Sequence, residues 1–159
     1  MTKLVSSPQA PRVWSLDAGA GVITVTIGGE LDQREAECLE VELRERVAPV
    51  GPGSVALVFD LNQLQRCSIA ARGVLAALQR RLGTVVRRTA YVTNRPLFRG
   101  VALWICHSAP DSNARTFPTV EAALPWLASN EPRGEALQRS AATWLDSVAG
   151  LRLGKGVTA

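Results

Sequence analysis

The stretch Ser54–Leu61, SVALVFDL, decides how this chain folds. Only Ser54 and Asp60 interrupt its apolar run. A strand wetted on one face alternates apolar and polar residues, whereas a near-continuous run marks a strand covered on both. That second pattern belongs to the interior of a parallel sheet with helices packed on it. Pro49–Gly53 in front of the run is a break rich in proline and glycine.

Helical periods lie on either side. Before the break, Ala36, Leu39, Leu43 and Val47 recur at steps of three and four, predicting a helix from about Gln33 to Ala48 with Asp32 as its cap. After the run, Ser68 caps a predicted helix through Leu82 that carries Ile69, Val74, Leu75, Leu78 and Leu82, and Gly83 stops it. Further upstream, Val22–Ile27 is β-branched at every position and predicts a strand ending at Gly28-Gly29. Arg12–Asp17 reads as its hairpin partner across the small residues Ala18–Gly21. Downstream come a strand over Arg88–Thr93, a helix opened by Pro96 and running to Ser108, a short strand Ala114–Phe117, and a helix Val120–Ser129 packing Ala123, Leu124, Trp126 and Leu127. The order β-β-α-β-α-β-α-β-α predicts an α/β fold: a mixed, mainly parallel sheet led by a β-hairpin and flanked by helices.

A chain of 159 residues with 47% hydrophobic and 20% charged residues suits one domain with a real core. The expected organisation is a flexible N-terminus over 1–11, the α/β domain over 12–129, and an amphipathic helix with a tail over 130–159, marked by Leu137, Ala141, Trp144, Leu145 and Val148. No apolar run is long enough to span a bilayer, and the start lacks a secretory h-region, so a cytoplasmic location is expected. Cys38, Cys67 and Cys106 are odd in number and widely spaced, which predicts buried or half-buried thiols in a reducing compartment, with no zinc site.

Charge is polarised along the chain. Seven acids fall between Glu30 and Glu45, while no acid lies between Asp60 and Asp111, where Arg66, Arg72, Arg80, Arg81, Arg87, Arg88, Arg95 and Arg99 all occur. These arginines either meet a partner or close on the acidic helix of the same molecule. The stretch lacks the aromatic interleaving of a single-strand binder, so nucleic acid is not expected.

Three stretches together resemble the STAS domain, the fold of bacterial anti-sigma factor antagonists. They are Gly29-Glu30-Leu31-Asp32 followed by Ala36 and Leu39; Asp60-Leu61 with Leu64 and the helix start at Ser68; and Phe117–Leu127, FPTVEAALPWL. The resemblance spans about residues 12–129 and implies a non-enzymatic regulatory module. It also implies a protein partner of the anti-sigma kinase type, which phosphorylates a serine at the start of the second helix. The chain departs from that pattern: Ala70 takes the serine's place, and Ser68, two residues earlier, is the remaining candidate phosphosite.

No catalytic set assembles. Cys106 and His107 are neighbours and diverge by about 100° on a helix, so they do not form a dyad. Asp32 and Asp60 would open on the same edge near Ser68, but as a helix cap and a loop acceptor rather than metal ligands. No phosphate-cradling glycine loop exists, and no metal or cofactor is expected.

The expected function is therefore a regulatory or scaffolding module. Its partner surface is read as Gly29, Glu30, Asp32, Leu64, Arg66, Ser68, Ile69 and Arg72. The apolar segment Leu97–Cys106 suggests a second surface at Phe98, Val101 and Trp104, joined by Trp144, for a homodimer or a lipid-like ligand. A small-molecule or lipid carrier with an arginine-bound acidic head is the alternative reading.

Overall fold

The computed structural model describes residues 12–110 and 113–129. Five strands, β1 (Trp14–Gly19), β2 (Val22–Leu31), β3 (Ala56–Cys67), β4 (Thr89–Val92) and β5 (Ala114–Phe117), form one sheet in chain order. β1 pairs antiparallel with β2 through a tight turn at Ala20-Gly21, and every later pairing is parallel. The helices are α1 (Gln33–Val47), α2 (Ile69–Leu82), α3 (Pro96–Ser108) and α4 (Val120–Ala128). The fold class and element order are those read from the sequence.

The central run fills both sides of the sheet, as its composition demands. Leu57, Phe59 and Leu61 join the larger core under α1, α2 and α3, while Ala56 and Val58 face the smaller one under α4 with Trp126 and Leu127. Ala36, Leu39, Leu43 and Val47 are all buried, so α1 lies on the sheet through the stripe its spacing set out.

Two strands run further than expected. β2 continues through Gly28-Gly29 to Leu31, and β3 continues past Leu61 to Cys67. The cause is visible in the register: Thr26 pairs with Asp60 and Gly28 with Gln63, then Gly29 pairs with Leu64 and Glu30 with Arg66. β3 thus carries two extra residues against β2, and each bulge turns the following side chain to the other face. Its inward residues fall at 57, 59, 61, 64 and 67, so a period-two reading stops at Leu61.

Other departures are smaller. β1 begins at Trp14, two residues later than read from the sequence. Leu124 is exposed where inward packing was expected, and Cys38 is exposed where a covered thiol was expected. No helix among the described residues is long and apolar enough to cross a membrane. The N-terminal segment 1–11 and the expected C-terminal helix, Trp144 included, lie outside the described residues.

Candidate partner-binding edge

The C-terminal ends of β2 and β3 bring together most of the sequence-derived partner residues. Glu30 and Arg66 are register neighbours, and the Arg66 Nη1 lies 3.5 Å from the Glu30 Oε1. Both side chains are largely exposed, so the pair orients the edge and adds little stability. Asp32, just beyond β2, accepts from the Glu35 N–H at 2.8 Å and caps α1. Gly29 has φ +65°, a left-handed conformation that a side chain would strain, and it sits at the second bulge.

The start of α2 closes the edge. The Ser68 N–H donates to the Leu31 carbonyl at 3.0 Å, tying the helix entrance to the end of β2. The Ser68 Oγ accepts from the Ala71 N–H at 3.0 Å, so its hydroxyl serves as the N-cap. Arg72 reaches back, its Nε donating to the Cys67 carbonyl at 3.2 Å. Ile69, in the first turn of α2, is 84% exposed, and Ser68 and Ala70 on either side are exposed as well. Leu64 is a correction to the partner surface: it is 1% exposed and belongs to the core, because the bulge before it turned it inward.

The two carboxylates do not converge. Asp60 stands beside Thr26, while Asp32 lies six residues beyond Thr26, just past the end of β2 and roughly 20 Å along the strand at ~3.3 Å per residue. Asp60 instead accepts from the Asn62 N–H at 3.0 Å. Among the described residues, no group of three or more His, Cys, Asp and Glu side chains is placed to hold a metal ion. Burial pushes the Cys106 thiol up to about 12, and burial raises Cys67 against the pull of Arg72, so neither is a thiolate at neutral pH.

The second expected surface needs revision. Phe98 and Val101 are buried, because α3 turns them, with Ala102 and Ile105, toward the larger core. The residues α3 shows outward are Leu97, at 66% exposure, with Leu103 and Trp104. Leu97, Gly100 and Trp104 share a face by helical spacing, and with Arg72 they border a groove of about 260 Å³. Ordinary ligand sites span ~300–1,000 Å³. Leu97 was missed although its signal was available: residues 97, 100 and 104 stand at steps of three and four.

Most of the arginine run is absorbed by the fold. Arg80, Arg87, Arg88 and Arg95 donate to the carbonyls of Ser108, Leu127, Trp126 and Leu64. Arg81 pairs with Glu40 of α1, the intramolecular closure that the charge pattern allowed. Arg95 also lies 4.6 Å from the Phe98 ring centre, covering the flank of β3 beyond the end of β4.

A family profile described as SpoIIAA-like matches residues 22–128, which contain the whole edge. The chain belongs to the SpoIIAA-like family. No curated protein matches this SpoIIAA-like chain. Among solved structures, a DUF3478-family protein from Shewanella loihica, itself with a SpoIIAA-like fold, is 17% identical with TM-score 0.57, covering 72% of this chain and 92% of that one. The anti-sigma factor antagonist SpoIIAA in its unphosphorylated form is 17% identical with TM-score 0.54, over 70% of this chain and 94% of that one. An anti-sigma factor antagonist from Mycobacterium paratuberculosis is 25% identical with TM-score 0.54, over 73% and 93%. The STAS resemblance read from the three sequence stretches and the SpoIIAA-like match agree on fold and element order.

Proposed function

We propose that this SpoIIAA-like chain is a non-enzymatic regulatory or scaffolding module of the cytoplasm that binds a protein partner through the edge formed by Glu30, Asp32, Arg66, Ser68, Ile69 and Arg72. The observation that carries the reading is Ile69, a β-branched apolar side chain 84% exposed at the start of α2, with Arg66 and Arg72 three residues to either side. A large apolar residue held in water at a helix entrance, inside a charged rim, is the composition of an interface centre. Two solved relatives are anti-sigma factor antagonists, and the edge falls within the matched region. Ala70 offers no hydroxyl, and the Ser68 Oγ is engaged as a cap, so association here runs without the phosphoserine switch.

The test is affinity capture from the native host, comparing the wild-type chain with Ile69→Asp, Arg72→Glu and, as a distant exposed control, Leu124→Asp. The reading expects one bound protein to be retained by the control and lost with the two edge variants. A partner set unchanged across all four chains would refute this edge.

A further inference from the structure

α1 presents a second surface, directed away from the core. Arg34, Cys38, Val41 and Glu45 recur at steps of four, three and four, a stripe opposite the buried residues 36, 39, 43 and 47. All four are exposed, Val41 at 54%, and they line an indentation of about 400 Å³ bounded by Arg12 and Glu42. Its middle is apolar and its ends carry opposite charges.

That order is complementary to itself. Laid antiparallel on a second copy about a two-fold axis between positions 38 and 41, the stripe sets Arg34 against Glu45 of the second copy. Cys38 then meets Val41 of the copy, and each contact occurs twice, as an isologous interface requires. On one flank Glu37 comes opposite Arg44 of the second copy, as in the layers of an antiparallel helix pair. A parallel pairing would stack like charges at both ends, so charge also selects the direction.

The remaining charges of α1 divide in the same way, with one exception. Glu40 is taken by Arg81, and Glu42 by Arg12 and Arg46. Among the described residues, Arg34, Glu35, Glu37, Arg44 and Glu45 form no ion pair, and a second copy would engage all of these but Glu35, which would lie on the flank of Glu42 of the copy. We infer that the outer face of α1 is a homodimer interface, two-fold and antiparallel, with Cys38 and Val41 at its centre. It is small and charge-rich, so the dimer is weak and weakens further with salt. It lies on the outer face of α1, past the Asp32 cap that belongs to the proposed partner edge, and does not rest on that reading.

The experiment is sedimentation equilibrium across a concentration series, with circular dichroism to verify that each chain is folded. Arg34→Glu and Glu45→Arg, each alone, put like charges at both ends and weaken dimerisation about tenfold or more. An equal mixture of the two single variants restores both end pairs, and so does the double variant in one chain. Recovery of wild-type association in the mixture supports the interface. A wild-type chain that stays monomeric up to millimolar concentration, or a mixture no more associated than its parents, overturns it.

Discussion

The Tyr91 hydroxyl of β4 donates to the Gln79 Oε1 of α2 at 2.6 Å, and the Gln79 Nε2 donates to the Thr89 Oγ1 at 3.3 Å. All three residues are buried, with Tyr91 stacked on Phe59 at a centroid distance of 4.9 Å. This polar link fixes the rotation of α2 on the sheet and so helps to place its N-terminal turn. Tyr91→Phe leaves the Gln79 oxygen without its donor and costs about 1–3 kcal/mol. Urea denaturation checks the value, and a double variant with Gln79→Leu loses less than the sum of the singles.

Alkaline pH attacks the same core. Burial holds the Tyr91 hydroxyl well above its ordinary value of 10, with Cys106 adding to the shift, and burial lifts Cys106 from 9.0 to about 12. Both groups bind protons more tightly folded than unfolded. The Cys106 contribution is therefore complete below pH 9 and is lost as pH rises toward about 12, while that of Tyr91 begins to be lost only above pH 10, each at up to ~1.4 kcal/mol per pH unit. Denaturation midpoints should fall through that window, and Cys106→Ala should make the fall shallower.

Ser68 acts in folding as a cap. Ser68→Ala removes the acceptor of the Ala71 N–H and costs about 1 kcal/mol, while Ser68→Asp keeps an acceptor and stays near wild type. Thermal unfolding of the two variants tests this. Equal losses in both would show that the cap contributes nothing.

Two apolar residues near the ends of neighbouring helices part company. Phe98→Ala opens a cavity in the larger core and costs about 3–5 kcal/mol. Ile69→Ser changes the isolated protein by less than about 0.5 kcal/mol, because its side chain already stands in water. Chemical denaturation separates them directly.

Sequence reading succeeded wherever a single period ruled an element. The stripe of α1, the caps at Asp32 and Ser68, the Pro96 start of α3 and the doubly covered run of β3 are all local patterns, and the structure holds them. It failed where the period changed inside an element. Two bulges moved the inward positions of β3 from steps of two to steps of three, so Leu64 read as a partner-surface residue when it is core. Orientation on α3 failed for another reason: a helix apolar almost all round does not announce which residues meet the sheet. Phe98 and Trp104 are equally hydrophobic by sequence, and only the packing of α2 and β5 separates buried from exposed. The approach of Arg66 to Glu30 was equally hidden, because it depends on the second bulge.

β3 overhangs β4 by seven residues, from Leu61 to Cys67, and Ser68, Ile69 and Ala70 follow directly on that projecting tip. The edge is thus carried by a ribbon whose length is counted in single residues. Removing one residue between Leu61 and Arg66 would erase a bulge, rotate the tip by half a pleat and exchange what faces water with what faces the interior. Changes of identity along the tip are tolerable one at a time. Changes of length are not.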